Sequence, residues 1–220
     1  MLTPLNILTA VIIAILVVSA SVTFTLFDRA AFARMQEQID LSERTGFSEE
    51  DILANYNALI EYNSVFFRGE LNFPSLPMSD SGRIHFEEVK VIFSAFQISL
   101  IVSAVIAILL CVLLLRRKKI KFLVLGGILS LLIPAAVVCI MALVGWDKFF
   151  VLFHQLFFNN EFWVFDYTTD PVILILPDEW FLNCLIRIVS GIVISSVCLI
   201  AAPLAAIKIR EKSFKPFKDY

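Results

Sequence analysis

The chain has 220 residues, 59% of them hydrophobic and 17% charged, with a formal net charge of −2. That apolar excess excludes an ordinary water-soluble domain and points to a membrane protein. The four cysteines, Cys111, Cys139, Cys184 and Cys198, each stand alone in an apolar run and form no CxxC pair, so neither a disulfide scaffold nor a redox motif of that kind is expected.

The first predicted element is an apolar run over residues 5–27. A hydrocarbon core takes about 20 helical residues to cross, so this run is long enough to be a span. Val18, Ser19 and Ala20 have the small-residue pattern of a signal-peptide cleavage site. However, no Lys or Arg precedes the run, and it stays apolar to Phe27, so an uncleaved span is expected. Residues 28–38 then either extend the span or form a short surface helix. Ser48, Glu49, Glu50 and Asp51 resemble a helix N-terminal capping box. Ile52, Leu53, Tyr56, Leu59 and Ile60 follow at the spacing of an amphipathic helix of four or five turns. Pro74 and Pro77 break the pattern, and residues 79–82 read as a turn.

A second span is expected over residues 89–115, a third over 122–146 and a fourth over 181–207. Between the second and third lie Arg116, Arg117, Lys118, Lys119 and Lys121, and after the fourth come Lys208, Arg210, Lys212, Lys215 and Lys218. All acidic residues except Glu211 and Asp219 fall in segments 28–88 and 147–180. Basic short loops mark the cytoplasmic side, so both termini are expected inside and both acidic segments outside. A basic tail beside a span reads as an orientation or anionic-lipid signal, and no nucleic-acid partner is expected.

The second outside segment is unusually apolar. From Trp146 to Phe158 the aromatics, with Leu152 and Leu156, recur at a helical period. Pro171 and Pro177 bracket Val172, Ile173, Leu174, Ile175 and Leu176, a β-branched run that reads as a short buried strand. The fold class is therefore membrane, mainly α: a single domain of four transmembrane helices with a small extracytoplasmic cap. The cap, from residues 28–88 and 147–180, is expected to hold short helices and one or two short strands.

The only two histidines, His85 and His154, fall outside the spans at similar depth. Neutral imidazoles are common proton carriers near pH 7, although an interface histidine is also an ordinary packing residue. Aromatic residues, chiefly Phe, accompany both histidines: Phe66, Phe67, Phe73 and Phe86 the first, and the segments 149–158 and 162–167 the second. Phe has no polar handle, so the cluster suits a lipid-holding surface as well as an interfacial belt. Glu87 and Glu88 with the two histidines are a weak zinc candidate, lacking any metal-spacing motif, and no metal is expected. There is no GxSxG serine motif and no glycine-rich phosphate loop. Arg187 stands about two turns inside the fourth run. It either snorkels outward or pairs with Glu87, Glu88, Asp170 or a polar ligand.

Three stretches carry a family resemblance. Phe153-His154-Gln155-Leu156-Phe157-Phe158, followed by Trp163, is similar to an FHxxFF…W motif. Residues 170–181, from Asp170-Pro171 to Trp180-Phe181, resemble the DP-apolar-P-acidic-aromatic block that follows it. His85-Phe86-Glu87-Glu88-Val89-Lys90 resembles an HxxDVK motif, with Glu88 where the family has Asp. The family is the lipoprotein intramolecular transacylases, integral membrane proteins of the bacterial plasma membrane. The resemblance implies an acyltransferase whose active site is at the outer face. It would move the acyl chain from the sn-2 oxygen of a lipoprotein's diacylglyceryl group to the α-amino group of its N-terminal cysteine, leaving a lyso-form lipoprotein. His85 and His154 are then the catalytic residues, with His154 as base toward the amine and His85 as oxyanion stabiliser or proton donor, or the reverse. Phe86, Phe153, Phe157, Phe158, Trp163 and Arg187 are expected to bind substrate, and Glu88, Asp166 and Asp170 to support the histidines. Partners are the diacylated lipoprotein and membrane lipids; no cofactor is expected, and a monomer is. Two other readings of the same residues are a non-enzymatic lipid-binding accessory protein and an interfacial lipid hydrolase.

Overall fold

The computed structural model describes residues 3–116 and 120–213. The basic residues Arg117, Lys118, Lys119, Lys215 and Lys218 lie outside the described residues. Helices follow one another as α1 (Pro4–Phe27), α2 (Arg29–Gln38), α3 (Leu41–Thr45), α4 (Glu49–Tyr62), α5 (Asp80–Arg116), α6 (Lys121–Ser130), α7 (Leu132–Val144), α8 (Trp146–Phe157), α9 (Val172–Ile175) and α10 (Asp178–Ser213). Four helical stretches are long and apolar enough to cross a membrane: Pro4–Phe27, Asp80–Leu114, Lys121–Val144 and Asp178–Ile209. With a rise of about 1.5 Å per residue, the 37-residue α5 is about 55 Å long, well beyond the roughly 30 Å of a hydrocarbon core. The surplus turns at its N-terminal end carry His85.

The chain divides into two compact units. The first comprises residues 1–21, 99–139 and 188–220. Its core is Ile13 and Val17 of α1, Leu114 of α5, Phe122 of α6 and Ile192 of α10. Small residues let these helices approach closely, as membrane helices require. A Cβ on Gly126 would lie 2.8 Å from Ile13 Cγ2, and one on Gly127 2.8 Å from the Ser196 carbonyl oxygen. Thr9 is fully buried and its hydroxyl donates to the Leu5 carbonyl at 2.7 Å, so this inward-facing polar atom of α1 is satisfied by the helix's own backbone. The expected third span is two helices, α6 and α7, separated at Leu131. Pro134 is the cause: it lacks the N–H that would reach the Ser130 carbonyl, and its ring crowds that group.

The second unit comprises residues 22–98 and 140–187 and gathers both segments expected outside. Its core contains Phe32, Ile52, Tyr56, Phe86, Val172, Ile175 and Trp180. Phe32 stacks on Tyr56, and Trp180 meets both edge-on, at 5.2 and 5.8 Å between centroids. Residues 28–38 are a separate helix because Asp28 ends the span and caps α2, its side chain accepting from Ala31 N. Ser48 caps α4 through Asp51 N, as the sequence predicts. The expected turn at 79–82 is instead the start of α5: Ser79 Oγ accepts from Gly82 N at 3.0 Å. Gln97, 5% exposed on α5, accepts from Val65 N at 2.9 Å and donates to the Asn63 carbonyl at 2.8 Å, which ties the end of α4 to α5. Lys90 lies over the Tyr62 ring at 4.1 Å.

Among the described residues there is no strand, which corrects the expectation of one or two. Val172–Ile175 is a single helical turn. Val172, Ile175 and Leu176 are buried while Leu174 is 37% exposed, the i, i+3, i+4 pattern of a helix. With no neighbouring strand to complete a ladder, the β-branched run satisfies its backbone locally, and Pro171 already holds the φ of −64° that starts a helix.

Candidate active site

Three elements build the site, all within the second unit. Helix α5 supplies His85 and Glu88, one turn apart on one face. Helix α8 supplies His154 from its last turn, and residues 158–165, which follow it, supply Phe158, Asn160, Trp163 and Phe165. The two imidazoles come together with ring centroids 6.2 Å apart and a tilt of 32° between planes.

The rings sit in an aromatic shell. Phe158, 5% exposed, touches both, at 4.7 Å from His85 and 5.7 Å from His154. Phe165 meets His85 edge-on at 5.4 Å and stacks on Phe86. Trp163 stacks on His154 at 4.7 Å, and Phe150 lies 4.2 Å from the same ring. Phe153 packs edge-on to His154 at 5.5 Å, and Phe157 packs on Phe153. Leu152, Phe153, Leu156 and Phe157 also leave α8 with an exposed apolar face.

The nitrogens of His154 have distinct roles. Nδ1 lies 2.8 Å from the Phe150 carbonyl oxygen. A carbonyl only accepts, so Nδ1 carries the proton and in the neutral ring Nε2 keeps the lone pair. Burial lowers the His154 pKa below its ordinary 6.5, and the Phe150 hydrogen bond opposes that shift. His85 is 5% exposed, and its Nδ1 is buried without a hydrogen-bond partner among the described residues.

The predicted supporting carboxylates behave differently from one another. Glu88 accepts from Asn160 Nδ2 at 2.8 Å. Asp170, 2% exposed, accepts from Ser79 N at 2.8 Å and Thr169 Oγ1 at 2.7 Å, so it anchors the start of α5 rather than an imidazole. Asp166 is exposed and accepts from Thr168 N and Oγ1, closing its own turn. Arg187 pairs with Asp28, the cap of α2, and not with Glu87, Glu88 or Asp170. Its depth in the fourth run brings it level with the end of the first, where Asp28 waits. Asn160 was not predicted as a site residue; the sole signal for it was a polar Asn159-Asn160 step inside an aromatic block. Among the described residues no group of three His, Cys, Asp or Glu side chains is placed to hold a metal ion.

Four helical stretches long and apolar enough to cross a membrane, with two imidazoles in a Phe-rich shell, define a membrane-integral protein with titratable groups set among apolar side chains. The chain matches the lipoprotein intramolecular transacylase Lit family over residues 7–181, and it belongs to that family. It is similar to the solved membrane-integral lipoprotein intramolecular transacylase Lit of Bacillus cereus, with 31% identity and a TM-score of 0.90, covering 94% of this chain and 96% of that one. Structures of the same Bacillus cereus protein carrying H85R and H85A match with TM-scores of 0.85 each, at 31% and 30% identity. The first covers 95% of this chain and 93% of that one; the second covers 94% of each. No curated protein sequence matches.

Proposed function

We propose that this chain transfers the sn-2 acyl chain of a lipoprotein's diacylglyceryl group to the α-amino group of the same lipoprotein's N-terminal cysteine. The reading rests on the imidazole pair, whose ring centroids lie 6.2 Å apart, close enough for both rings to act on one ester group.

An ammonium has no lone pair with which to attack an ester. His154 Nε2 takes its proton, and the amine nitrogen then adds to the acyl carbonyl carbon. The carbonyl oxygen becomes an oxyanion, to which His85 gives an N–H hydrogen bond; one such donor contributes about 10²–10³ in rate. Collapse re-forms the carbonyl and breaks the bond to the glycerol oxygen, which leaves with the proton returned from the His154 imidazolium, while the nitrogen, still carrying an extra proton after addition, releases it to water and becomes a neutral amide. Nucleophile and ester share one molecule, linked through an eight-membered cyclic intermediate. Such rings close poorly in a flexible chain, and a shell of Phe side chains that folds the lipid removes much of that entropic barrier. No acyl-enzyme forms, because the nucleophile belongs to the substrate.

The site faces outward and both termini are cytoplasmic, a reading supported by the basic residues at 116–121 and beyond 207 against the acidic segments 28–88 and 147–180. The exposed apolar face of α8 is where acyl chains approach the imidazoles.

A crossover experiment tests the reaction. Two diacylated lipopeptides, differing in both peptide and acyl chain, are mixed with the purified protein and read by mass spectrometry. Each peptide should emerge N-acylated by its own chain. Exchanged chains contradict an intramolecular transfer, and free fatty acid identifies a hydrolase.

A further inference from the structure

Beside the imidazoles is a carboxylate whose arrangement the acyl shift, as described, leaves unexplained. Glu88 stands one turn after His85 on α5, so the two side chains are neighbours. Its Oε1 is fixed by Asn160 at 2.8 Å, and Asn160 belongs to the stretch that carries Phe158, Trp163 and Phe165 onto the histidines. Its Oε2 is buried and has no hydrogen-bond partner among the described residues. Leaving a carboxylate oxygen dry and unpaired is costly, and a fold with no use for it would replace Glu88 by an apolar residue. The pairing with Asn160 aims this cost: one oxygen is held, and the other is presented.

We propose that Glu88 Oε2 is the binding site for the substrate's α-ammonium group and selects lipoproteins whose N-terminus is free. The inference rests on the acyl-transfer reading and adds what that reading lacks, a group that recognises the amine before it is deprotonated. The only cation the substrate must bring to this place is its N-terminal ammonium. A carboxylate one helical turn from His85 holds that nitrogen beside the imidazole pair, and a proton passes from it to His154 once the ester is in position. The product, an N-acyl amide, carries no charge, so Glu88 loses its partner when transfer is complete and the product is released. Asn160 is a positioning residue, setting which carboxylate oxygen faces the ligand.

Binding tests this independently of turnover. A fluorescent diacylglyceryl-cysteine peptide is titrated with detergent-purified protein in two forms, one with a free α-amine and one N-acetylated. Wild type should bind the free-amine form about tenfold or more tightly than the acetylated form. Glu88→Gln keeps the shape and a partner for Asn160 but no charge, and should bind both forms alike; Glu88→Asp should recover part of the preference. Equal binding of the two peptides by wild type overturns the proposal without reference to any variant, as does an undiminished preference in Glu88→Gln. If wild type discriminates but produces no N-acyl peptide, the ammonium site stands and the transfer reaction fails. If wild type produces it and Glu88→Gln matches its rate, the ammonium site fails and the transfer reaction stands.

Discussion

Gly82 gives the sharpest view of how the surroundings set the site. It lies in the first turn of α5, one turn before His85. A Cβ built there runs into the Asp170 carboxylate, lying 3.1 Å from its Cγ, in addition to its overlap with Oδ1, and 3.3 Å from Phe165 Cε1. In an open helix, Gly→Ala would stabilise by about 1 kcal/mol. Here the methyl group meets atoms that have nowhere to go. Asp170 is 2% exposed and tied to Ser79 N and Thr169 Oγ1, and Phe165 is wedged against His85 and Phe86. Overpacking of this kind costs about 1–3 kcal/mol, and losing the charged hydrogen bond to Ser79 N adds about 1.5–3 kcal/mol. The clash therefore outweighs the helix gain, and Gly82→Ala should lower the thermal midpoint in detergent. Because Phe165 moves against His85, and a misplacement of about 1 Å costs on the order of 10²-fold in rate, conversion of a diacylated lipopeptide should fall by one to two orders of magnitude. The Asp170→Ala background removes the obstructing carboxylate, and there Gly82→Ala should cost much less. Additive costs across that cycle, or a Gly82→Ala protein as stable and active as wild type, would refute this reasoning.

Two further outcomes are expected. Gln97→Leu strands the Val65 N–H and the Asn63 carbonyl, so it should destabilise the protein by about 1–3 kcal/mol, read as an earlier loss of native fluorescence on heating. As a base, His154 must be neutral, and burial holds its pKa below 6.5, so its protonation limits the rate only at pH values under that point. Trp163→Ala exposes the ring and moves its pKa back up toward the ordinary value. The ratio of wild-type to Trp163→Ala kcat/KM should therefore grow as pH falls through 6.5, the titration of the substrate amine cancelling in the ratio. A ratio independent of pH contradicts burial as the cause.

Much of the fold was legible because membrane and helix signals are local. Apolar length marks the spans, Ser48 marks the start of α4, and the Phe and Leu period marks α8. The strand expected at 172–176 failed because β-branching describes residues, whereas a strand needs a partner that only tertiary structure supplies. The site divides in the same way. His85 and His154 stood out by scarcity and by depth, but their juxtaposition depends on α8 meeting α5, which no spacing encodes. Arg187 was legible as a charge that needed a partner, yet Asp28 was hidden because it was read only as the start of a segment after the span. Asp166 was misleading for the opposite reason: its place between two stretches that resemble the family suggested support for an imidazole, and its local chemistry with Thr168 closes a turn.

The central claim is that the two imidazoles perform the acyl shift together, and single replacement tests it most directly. His85→Ala and His154→Ala are produced in membranes, checked for folding by their thermal midpoints, and given one diacylated lipopeptide whose N-terminus is followed by mass spectrometry. The account predicts that wild type yields the N-acyl lyso-form and that each variant, folded and membrane-bound, yields essentially none. N-acylation at the wild-type rate by either folded variant would contradict it.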